Sequence, residues 1–592
     1  MANIFSARIG ELRKVMEKEG IAATLVIHTD PHHSEYLAPH WQVRRWLSGF
    51  TGSAGDLLVT HDDALLWTDS RYFLQAEQQL DGSGIKLMKA DIPGTPTIND
   101  YLLDNLQKGD KIGVNGMLQT VDEARQMSAV FRPHHIDVVQ FDAANLWTDR
   151  PALSDDKAFI HSTEFAGETA QSRMSRVMER VNAADADATV ICALDEIAWI
   201  LNLRGSDVKC TPVVTSFLYL EPGNTVIFID DVKLTDEVRN YLAENDVKIS
   251  PYNQLLDFLP TLDESVRVLY NPATTAKTVA EAVKNPVEAE SPVALIKACK
   301  NPVQIECLRN ALNRDSVALI NLFMEIERRL DNGEKLTEMD VAELAIEFRA
   351  RDERYFDESF ETIAGYKEHG AIVHYTATEN SNATIKPEGL LLVDSGAQYL
   401  DGTTDITRTI TLGKTTDEER RDFTLVMKGH IALARAKFPE GTRGAQLDAL
   451  ARQFLWAEGK SYLHGTGHGV GFFLGVHEGP HSIRLNNVPT PLFPGMVTSN
   501  EPGVYIAEKY GIRCENLVLT VEDEENEFGR FYRFETLTLF PFDLNLFDTT
   551  IMSDEEIQWV NDYHARCRKV LLPHLNHEQA AWLKAKTEPL KR

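Results

Sequence analysis

The sequence predicts a multidomain protein that begins with two α/β modules in tandem. Its 592 residues, of which 43% are hydrophobic and 25% charged, suffice for about three or four globular domains with buried cores. Through the N-terminal half, short apolar runs alternate with helical stretches, which is the pattern of an α/β fold. Three prolines between residues 285 and 302 then mark the approach to a third domain.

The first module begins near Ile21 and closes near Pro151. Its predicted elements are strands that start at Thr24, Asp56 and Ala64 and a helix over 72–79. The second module repeats this style from about Ala152. Its predicted elements are a helix over 167–184 and strands that start at Ala188 and Thr225.

Three helix starts are predicted in the C-terminal half from residues that cap a helix N-terminus. Asn301 precedes Pro302, which suits a first helical turn, and apolar residues then recur at mostly helical spacing up to Ile326. Two further start signals have the form Ser/Thr-x-x-Glu and lie at 416–419 and 553–556. The third domain is therefore expected to contain long amphipathic helices.

The composition argues against several classes of protein. The formal net charge of −29 disfavours a nucleic-acid-binding protein, because such surfaces need clustered lysine and arginine. The six cysteines are scattered without a C-x-x-C pair, so neither a disulfide framework nor a structural zinc site is expected. The N-terminal segment lacks a signal-peptide pattern, and no apolar stretch approaches the length of a membrane span. We therefore expect a cytoplasmic protein that binds neither nucleic acid nor membrane.

Two aspartates interrupt apolar, strand-like sequence. Asp394 ends the apolar run 390–393, and Asp405 lies among β-branched residues typical of a returning strand. If the hairpin between them centres on 399–400, the two aspartates are direct cross-strand neighbours. A tight turn at 401–402 is the alternative and would offset them by four residues. We favour the first register, because a divalent cation can hold adjacent carboxylates about 4 to 5.5 Å apart, whereas an offset pair cannot share one.

A second cluster contains His464, His468 and His477. Four glycines within residues 464–471 give a backbone on which an imidazole can approach a metal without crowding. A phosphate cradle is the alternative, but the segment lacks the lysine and Ser/Thr of a P-loop and does not match G-x-G-x-x-G at a helix start. We therefore discount nucleotide binding here.

Glu501 and Glu515 form a third cluster, since each interrupts apolar, strand-like sequence. With Asp394, Asp405 and His468 they make four carboxylates and one imidazole, a set suited to manganese, cobalt or zinc. Four carboxylates offer enough oxygen atoms for two cations, which would neutralise charge that could not otherwise be buried together. These residues therefore predict a two-metal hydrolase site.

At these residues the sequence resembles the Xaa-Pro aminopeptidases, also called aminopeptidase P, of the pita-bread metallopeptidase family. Around the predicted metal site the resemblance covers segments 393–409, 464–471, 500–503 and 511–515. Other segments are similar to the two leading domains and the C-terminus of the long, three-domain form: 34–39, 48–55, 67–73, 195–199, 202–207 and 559–564. The resemblance therefore extends over essentially the whole chain.

The resemblance implies a fold that combines α/β and α+β domains. Two creatinase-type α/β domains, 1–151 and 152–300, would precede a pita-bread catalytic domain over 301–540, in which helices flank a strongly bent sheet. Residues 541–592 would form a helical extension of the catalytic domain. A homodimer assembled through the C-terminal domain is also implied.

The resemblance also implies which residues bind metal. The ligands would be Asp394, Asp405, His468, Glu501 and Glu515. Two of them, Asp405 and Glu515, would bridge the two cations. Creatinase and the histone-chaperone relatives are disfavoured, since they keep the fold without this ligand set.

The remaining site residues are expected to act on the substrate. His374 and His477 match residues that contact the substrate carbonyl and the tetrahedral intermediate, and His464 lines the same site. Glu501 is in addition the candidate general base. Arg71 resembles an arginine that reaches the peptide from the first domain.

The expected activity is hydrolysis of the bond between an N-terminal residue and a following proline in peptide substrates. Two divalent cations are expected as cofactors, with manganese preferred and zinc or cobalt as alternatives. A prolyl bond has no N–H and its ring fixes φ, so it needs a dedicated pocket. The alternatives are a prolidase, which accepts only dipeptides, and a non-enzymatic peptide-binding protein on the same scaffold. The complete ligand set favours the enzyme, and the additional N-terminal module favours the aminopeptidase.

Overall fold

The computed structural model of the protein describes residues 3–592. These residues divide into two compact units. The first contains the chain up to Thr163 and Glu168–Val293, and the second contains Glu164–Gly167 and Ala294–Arg592. No helix among the described residues is both long and apolar enough to cross a membrane.

The first unit begins with a six-stranded mixed sheet. In spatial order its strands are Lys86–Lys89, Ala64–Thr68, Asp56–Thr60, Ala23–Val26, Lys111–Val114 and Asp137–Gln140. The helices of this part are Ile4–Glu19, Val43–Ser48, Phe73–Gln79, Ile98–Asn105 and Val121–Phe131. The three strands and the helix predicted here are confirmed with shifts of at most one residue at their starts.

A second six-stranded sheet in the same unit has the same topology. Its strands, in spatial order, are Val247–Ser250, Thr225–Ile229, Ser216–Leu220, Ala188–Ile191, Val268–Tyr270 and Pro286–Glu288. From one edge of the sheet to the other, parallel and antiparallel strand pairs occur in the same order in both sheets. The helices are Ala170–Ala183, Leu194–Leu201, Asp236–Glu244, Leu255–Phe258 and Lys277–Glu281, and a short ladder joins Phe159–Ile160 to Leu203–Arg204. The prediction of two similar α/β modules in tandem is therefore confirmed.

The helices of the second unit begin where their capping residues predict. The Asn301, Thr416 and Ser553 side chains each accept a hydrogen bond from the backbone N–H three residues on, which completes a capping box. The three helices that follow are Pro302–Asp331, Asp417–Ala434 and Asp554–Leu571. The other helices are Ala294–Ala298, Glu338–Arg349, Gly444–Ala457, His577–Lys586 and the short Thr163–Ala166, whose first residue is assigned to the first unit.

The sheets of the second unit are mainly antiparallel. The largest contains Lys437–Pro439, Gly529–Thr536, Asn516–Asn526, Val497–Asn500, Gly467–Gly469 and Glu478–Ile483. A three-stranded sheet contains Ile363–Tyr366, Leu390–Ser395 and Ile406–Thr411, and another contains Tyr355–Glu358, Ala397–Tyr399 and Gly402–Thr403. Gly503–Ile506 and Tyr510–Arg513 form a hairpin. This α+β unit holds all five predicted metal ligands.

The hairpin between the two aspartates has a register that differs from both of the predicted ones. Its turn is formed by residues 400 and 401, because the innermost paired residues are 399 and 402. Asp394 lies opposite Thr407, so the predicted direct pairing of Asp394 with Asp405 is wrong. Asp405 is instead offset by two residues along the hairpin.

The reason for this register lies at Asp401, whose side chain is fully buried at the turn. Its Oδ1 accepts a hydrogen bond from Arg314 Nη2 at 2.6 Å, and its Oδ2 accepts one from Arg354 Nη1 at 2.7 Å. A buried carboxylate that lost these partners would be costly, so the two arginines fix the position of the turn. Neither arginine is close to Asp401 in sequence, and short-range patterns therefore do not indicate this register.

Candidate metal centre

The five predicted metal ligands lie on or directly beside neighbouring strands of the second unit. Asp394 belongs to strand Leu390–Ser395, and His468 is the middle residue of strand Gly467–Gly469. The other three flank strands: Asp405 precedes Ile406–Thr411, Glu501 follows Val497–Asn500, and Glu515 precedes Asn516–Asn526. The sheet framework thus determines where each ligand side chain starts.

The ligand atoms converge. One ligand atom from each of Asp405, His468 and Glu515 lies within 4.8 Å of the other two. The Nε2 atom of His468 is 3.4 Å from Asp405 Oδ2 and 3.6 Å from Glu501 Oε1. These separations suit atoms that surround a common cation, because ligands at about 2.0 to 2.2 Å from a metal lie roughly 3 to 4 Å apart.

Glu501 and Glu515 face each other across two antiparallel strands. The pairs on either side of them, Asn500 with Asn516 and Gly503 with Arg513, share one register, so the two glutamates are cross-strand partners. Their N–H groups point away from each other and donate to the carbonyl oxygens of residues 466 and 407, at 2.8 and 3.1 Å. Such pairs bring side chains close together, with about 4.5 Å between Cα atoms. The glutamates are therefore the pair of carboxyl residues that lie directly opposite each other across two strands.

The crowding of carboxyl groups changes their titration. Burial, followed by the nearby charges of Asp394 and Glu501, raises the pKa of Asp405 well above its usual value. Burial, followed by the charge of Glu515, raises the pKa of Glu501 to about 8. Burial and the charges of Asp405 and Asp394 likewise raise the pKa of Glu515. Dications at this place would offset the repulsion and hold all of these carboxylates ionised.

Two carboxylate oxygens in this cluster also lack a protein partner. Asp394 Oδ1 and Glu515 Oε1 are buried, and neither accepts a hydrogen bond from any described residue. An ionised oxygen left in this way is costly, and a coordinated cation is an effective partner for it. Together with the oxygen-rich donor set, these orphaned atoms show that the residues fit a divalent metal centre.

Arg513 supports the cluster from one side. Its guanidinium is 1% exposed; it donates from Nη2 to Asp394 Oδ2 at 2.6 Å and from Nη1 to Tyr505 Oη at 2.7 Å. It also donates from Nε to Thr407 Oγ1 at 3.2 Å and from Nη2 to the carbonyl oxygen of Val373 at 3.3 Å. Arg513 therefore fixes the rotamer of Asp394 and leaves only the second carboxylate oxygen of that residue for a cation.

His464 is connected to Arg513 through a tyrosine. The Nδ1 atom of His464 lies 2.7 Å from the carbonyl oxygen of Gly465. A carbonyl oxygen can only accept, so Nδ1 carries a proton and donates it. In a neutral imidazole the other nitrogen, Nε2, is then a hydrogen-bond acceptor. That Nε2 lies 2.8 Å from the hydroxyl of Tyr505. Since Arg513 donates to the same hydroxyl, Tyr505 is free to donate its proton to His464. His464 thus belongs to a hydrogen-bond chain that ends at Asp394.

The other two histidines lie close to parts of the cluster. His477 contacts His468 edge-on, with 4.3 Å between ring centroids. His374 is half-buried and follows Val373, the residue whose carbonyl oxygen binds Arg513. The structure therefore brings His477 next to a predicted ligand and His374 next to a residue that contacts the ligand network.

Arg71 is part of the first unit and lies between strand Ala64–Thr68 and helix Phe73–Gln79. It makes a two-pronged ion pair with Asp69, from Nε to Oδ1 at 2.9 Å and from Nη2 to Oδ2 at 2.6 Å. This contact gives the guanidinium a structural partner and a fixed direction. A role of Arg71 in substrate binding stays a prediction.

Arg513 is not among the site residues predicted from the sequence, although it belongs to segment 511–515, which carries part of the family resemblance. Arg513 precedes Glu515 by two residues on the same extended stretch, and side chains two apart on a strand share a face. That spacing is the signal that could have revealed it. An arginine beside four clustered carboxylates is also the expected counter-charge.

Four segments of the chain match models of known families. The descriptions are Creatinase/Prolidase N-terminal domain for 8–145 and again for 149–304, Metallopeptidase family M24 for 306–522, and C-terminal region of peptidase M24 for 530–590. The chain therefore carries two creatinase-type domains and an M24 metallopeptidase domain of the pita-bread fold.

Similar proteins extend this likeness over the full length. The chain is 38% identical to Aminopeptidase P2 of Arabidopsis thaliana, over 99% of this chain and 89% of that protein, and 39% identical to the probable Xaa-Pro aminopeptidase P of Laccaria bicolor, over 98% and 93%. It superposes with a TM-score of 0.95, at 35% identity and over 98% and 99% of the two chains, on an X-prolyl aminopeptidase from Caenorhabditis elegans, described as a cytosolic enzyme with a di-nuclear active site. The chain belongs to the Xaa-Pro aminopeptidases, the long, three-domain members of metallopeptidase family M24.

Proposed function

We propose that this chain is a cytoplasmic aminopeptidase that hydrolyses the bond between an N-terminal residue and a following proline in peptides. The observation that carries the proposal is the convergence of Asp394, Asp405, His468, Glu501 and Glu515 into one cluster with orphaned oxygens. Full-length likeness to Xaa-Pro aminopeptidases supports the substrate class. A homodimer is proposed as well.

The proposed cofactor is a pair of divalent cations held by these five side chains. Manganese is the preferred identity, with zinc or cobalt as alternatives, because carboxylate-rich sites with one imidazole accept all three. When bound, such cations supply Lewis acidity, which lowers the pKa of water and polarises a carbonyl group. Asp405 and Glu515 are the proposed shared ligands of the two ions.

The protein's own groups are proposed to bind the substrate and move the proton. Glu501 accepts the proton of the attacking water, since it lies within the ligand cluster and its carboxylate is held by Ser499 Oγ at 3.2 Å. His374 and His477 donate hydrogen bonds to the oxygen on which negative charge develops. The free amine of the substrate lies close to Asp394, which accounts for cleavage at the N-terminus. Arg71 and His464 are proposed to contact the remainder of the peptide.

Peptide turnover by metal-stripped and reloaded enzyme tests the proposal. The stripped protein is re-supplied with manganese, cobalt or zinc and offered Arg-Pro-Pro-type peptides, the Arg-Pro dipeptide, and a peptide with alanine at the second position. We expect metal-dependent release of arginine from the longer proline peptide and little from the alanine peptide. Turnover of the dipeptide alone would identify a prolidase, and metal binding without any turnover would identify a peptide-binding protein.

A further inference from the structure

Glu338 is a buried carboxylate outside the metal centre that binds an unusual number of groups. It is the first residue of helix Glu338–Arg349, and its side chain is 0% exposed. Four residues donate to it: the backbone N–H groups of Tyr366 and Ala383, both at 2.9 Å, the Nδ1 of His369 at 2.9 Å, and the hydroxyl of Tyr375 at 2.8 Å. Its charge is thus fully satisfied by hydrogen bonds rather than by water.

These donors bracket one segment of the chain. Tyr366 ends strand Ile363–Tyr366, and Ala383 comes after the excursion 367–382 that contains His374. One carboxylate therefore binds both ends of the excursion as well as two side chains within it. Next to Glu338, the N–H of Met339 donates to Asn382 Oδ1 at 3.1 Å, which reinforces the returning end.

The excursion has other anchors near its start, since Gly370 and Ala371 are buried and the carbonyl oxygen of Val373 accepts a hydrogen bond from Arg513 Nη2 at 3.3 Å. Residues 376 and 378–380 are exposed, whereas Tyr375 is buried with 5% of its surface exposed. The Tyr375 ring stacks on His369 at 4.6 Å between centroids, so the two side chains that donate to Glu338 also pack on each other. Since His374 directly precedes Tyr375, the position of the Tyr375 ring constrains the direction in which the His374 side chain leaves the backbone.

The carboxylate also affects the donor state of His369. The hydrogen bond to Glu338 raises the pKa of His369, and this effect is larger than that of burial, which lowers the pKa. This keeps a proton on Nδ1 for donation to Glu338. Hydrogen bonds to an ionised acceptor are roughly twice as strong as those between neutral groups, so this set helps to hold the segment in one conformation.

We propose that Glu338 is a positioning residue for His374: by binding both ends of segment 367–382 together with His369 and Tyr375, it holds His374 where it can contact the reacting carbonyl. The inference rests on the proposed function, because it assigns His374 a role in the reaction. Among the described residues, no hydrogen bond or ion pair joins Glu338 to any of the five ligands. Its effect on turnover should therefore pass entirely through His374.

The test is a double-mutant cycle between Glu338→Gln and His374→Ala in the full-length, metal-loaded enzyme with an Xaa-Pro-Xaa peptide. Glutamine keeps the size of the side chain but removes the charge and one acceptor oxygen. We expect Glu338→Gln to lower kcat by about 10- to 100-fold with KM and metal content unchanged, since a small misplacement of a catalytic group can cost 10²-fold. In the His374→Ala background the same change should lower kcat by less than about 2-fold.

Two further variants complete the design. Glu388→Gln is the matched control, since it removes a 2.6 Å ion pair with Lys367, the first residue of segment 367–382. The Glu388 side chain is 59% exposed, so this ion pair contributes little and kcat should stay unchanged. Tyr375→Phe deletes a single donor to Glu338. It repeats the cycle with a smaller loss if Glu338→Gln does not fold.

Each outcome supports or overturns the inference. Loss of kcat in the wild-type background alone supports it. An equal loss in both backgrounds, or loss of bound metal, would show that Glu338 acts through the domain as a whole and would overturn this inference alone. Absence of wild-type turnover of the Xaa-Pro-Xaa peptide would overturn the proposed function, and the inference with it.

Discussion

His477 meets His468 edge-on, with ring centroids 4.3 Å apart and ring planes at 83°. His468 is a member of the ligand cluster, whereas His477 is held beside it at the start of strand Glu478–Ile483. Glu478, the next residue, is buried and binds Lys297 Nζ at 2.7 Å and also Lys300. This ion cluster fixes the backbone from which His477 projects, so the imidazole is well placed to act on a substrate bound at the cluster.

Replacing His477 with alanine should therefore slow the reaction. We expect kcat to fall by about 10² to 10³ fold, because loss of one donor to a developing oxyanion costs that much. KM and metal content should change little. Steady-state kinetics with an Xaa-Pro-Xaa peptide measure both constants. An effect confined to KM would assign His477 to ground-state binding instead.

The change Asp405→Asn should abolish activity. Asparagine has nearly the same shape but no charge, and Asp405 contributes one of the three atoms that lie within 4.8 Å of one another. We expect loss of both cations, since Asp405 is one of the two proposed shared ligands. Elemental analysis of the purified variant gives the number of bound ions per chain. Full metal occupancy with wild-type turnover would contradict the bridging role.

Metal binding at pH 7 should release protons. In the metal-free protein the pKa of Glu501 is about 8, so this carboxyl group is largely protonated at pH 7 and must ionise when it binds a cation. The pKa of Glu501 is higher in the folded metal-free protein than in the unfolded chain, so protonation of this group stabilises the fold. This contribution to the free energy of unfolding is complete below the ordinary pKa near 4.5 and is lost as the pH rises towards 8. Calorimetric titrations with manganese in buffers of different ionisation enthalpy should show release of about one proton or more. Binding heats that do not depend on the buffer would exclude this.

Two buried histidines should make the protein sensitive to acid. Burial, followed by the charge of Arg408, lowers the pKa of His430 and of His564 to about 3. Because the fold favours the neutral form of each histidine, their contribution to the free energy of unfolding is complete above pH 6.5 and is lost as the pH falls towards 3. By pH 5 the loss is about 2 kcal/mol for each histidine. Urea unfolding of the metal-loaded enzyme between pH 8 and 5 measures this. His564→Gln, which retains an acceptor for the N–H of Phe542, should reduce the pH slope, whereas the exposed His61→Gln should not.

Much of the fold could be predicted from the sequence because its signals are local. The cap at Thr416 predicts the start of helix Asp417–Ala434 to the residue, since the bonds that form the cap involve only its first turn. The aspartate hairpin shows the limit of such signals. Its register depends on Arg314 and Arg354, which lie 87 and 47 residues from Asp401, and no pattern within the hairpin contains that information.

The candidate site shows the same division. The five ligand types and their positions were predicted from carboxylates and histidines that interrupt strand-like or glycine-rich sequence. Arg513 and Glu338 were not, because their importance is visible only in three dimensions: Arg513 binds Asp394, 119 residues away, and Glu338 binds residues 28 to 45 positions away. The assignment of individual roles to the histidines rests on the family resemblance and stays a prediction.

The raised pKa values of Asp405, Glu501 and Glu515 have a consequence for the life of the molecule in a cell. A protein that binds an ion only when folded gains stability with the logarithm of the free ion concentration. A lower concentration of that ion would then shorten the half-life of the polypeptide, because molecules that unfold more often are degraded sooner. The amount of the protein in the cell, and not only the turnover of each molecule, would then depend on the concentration of the free ion.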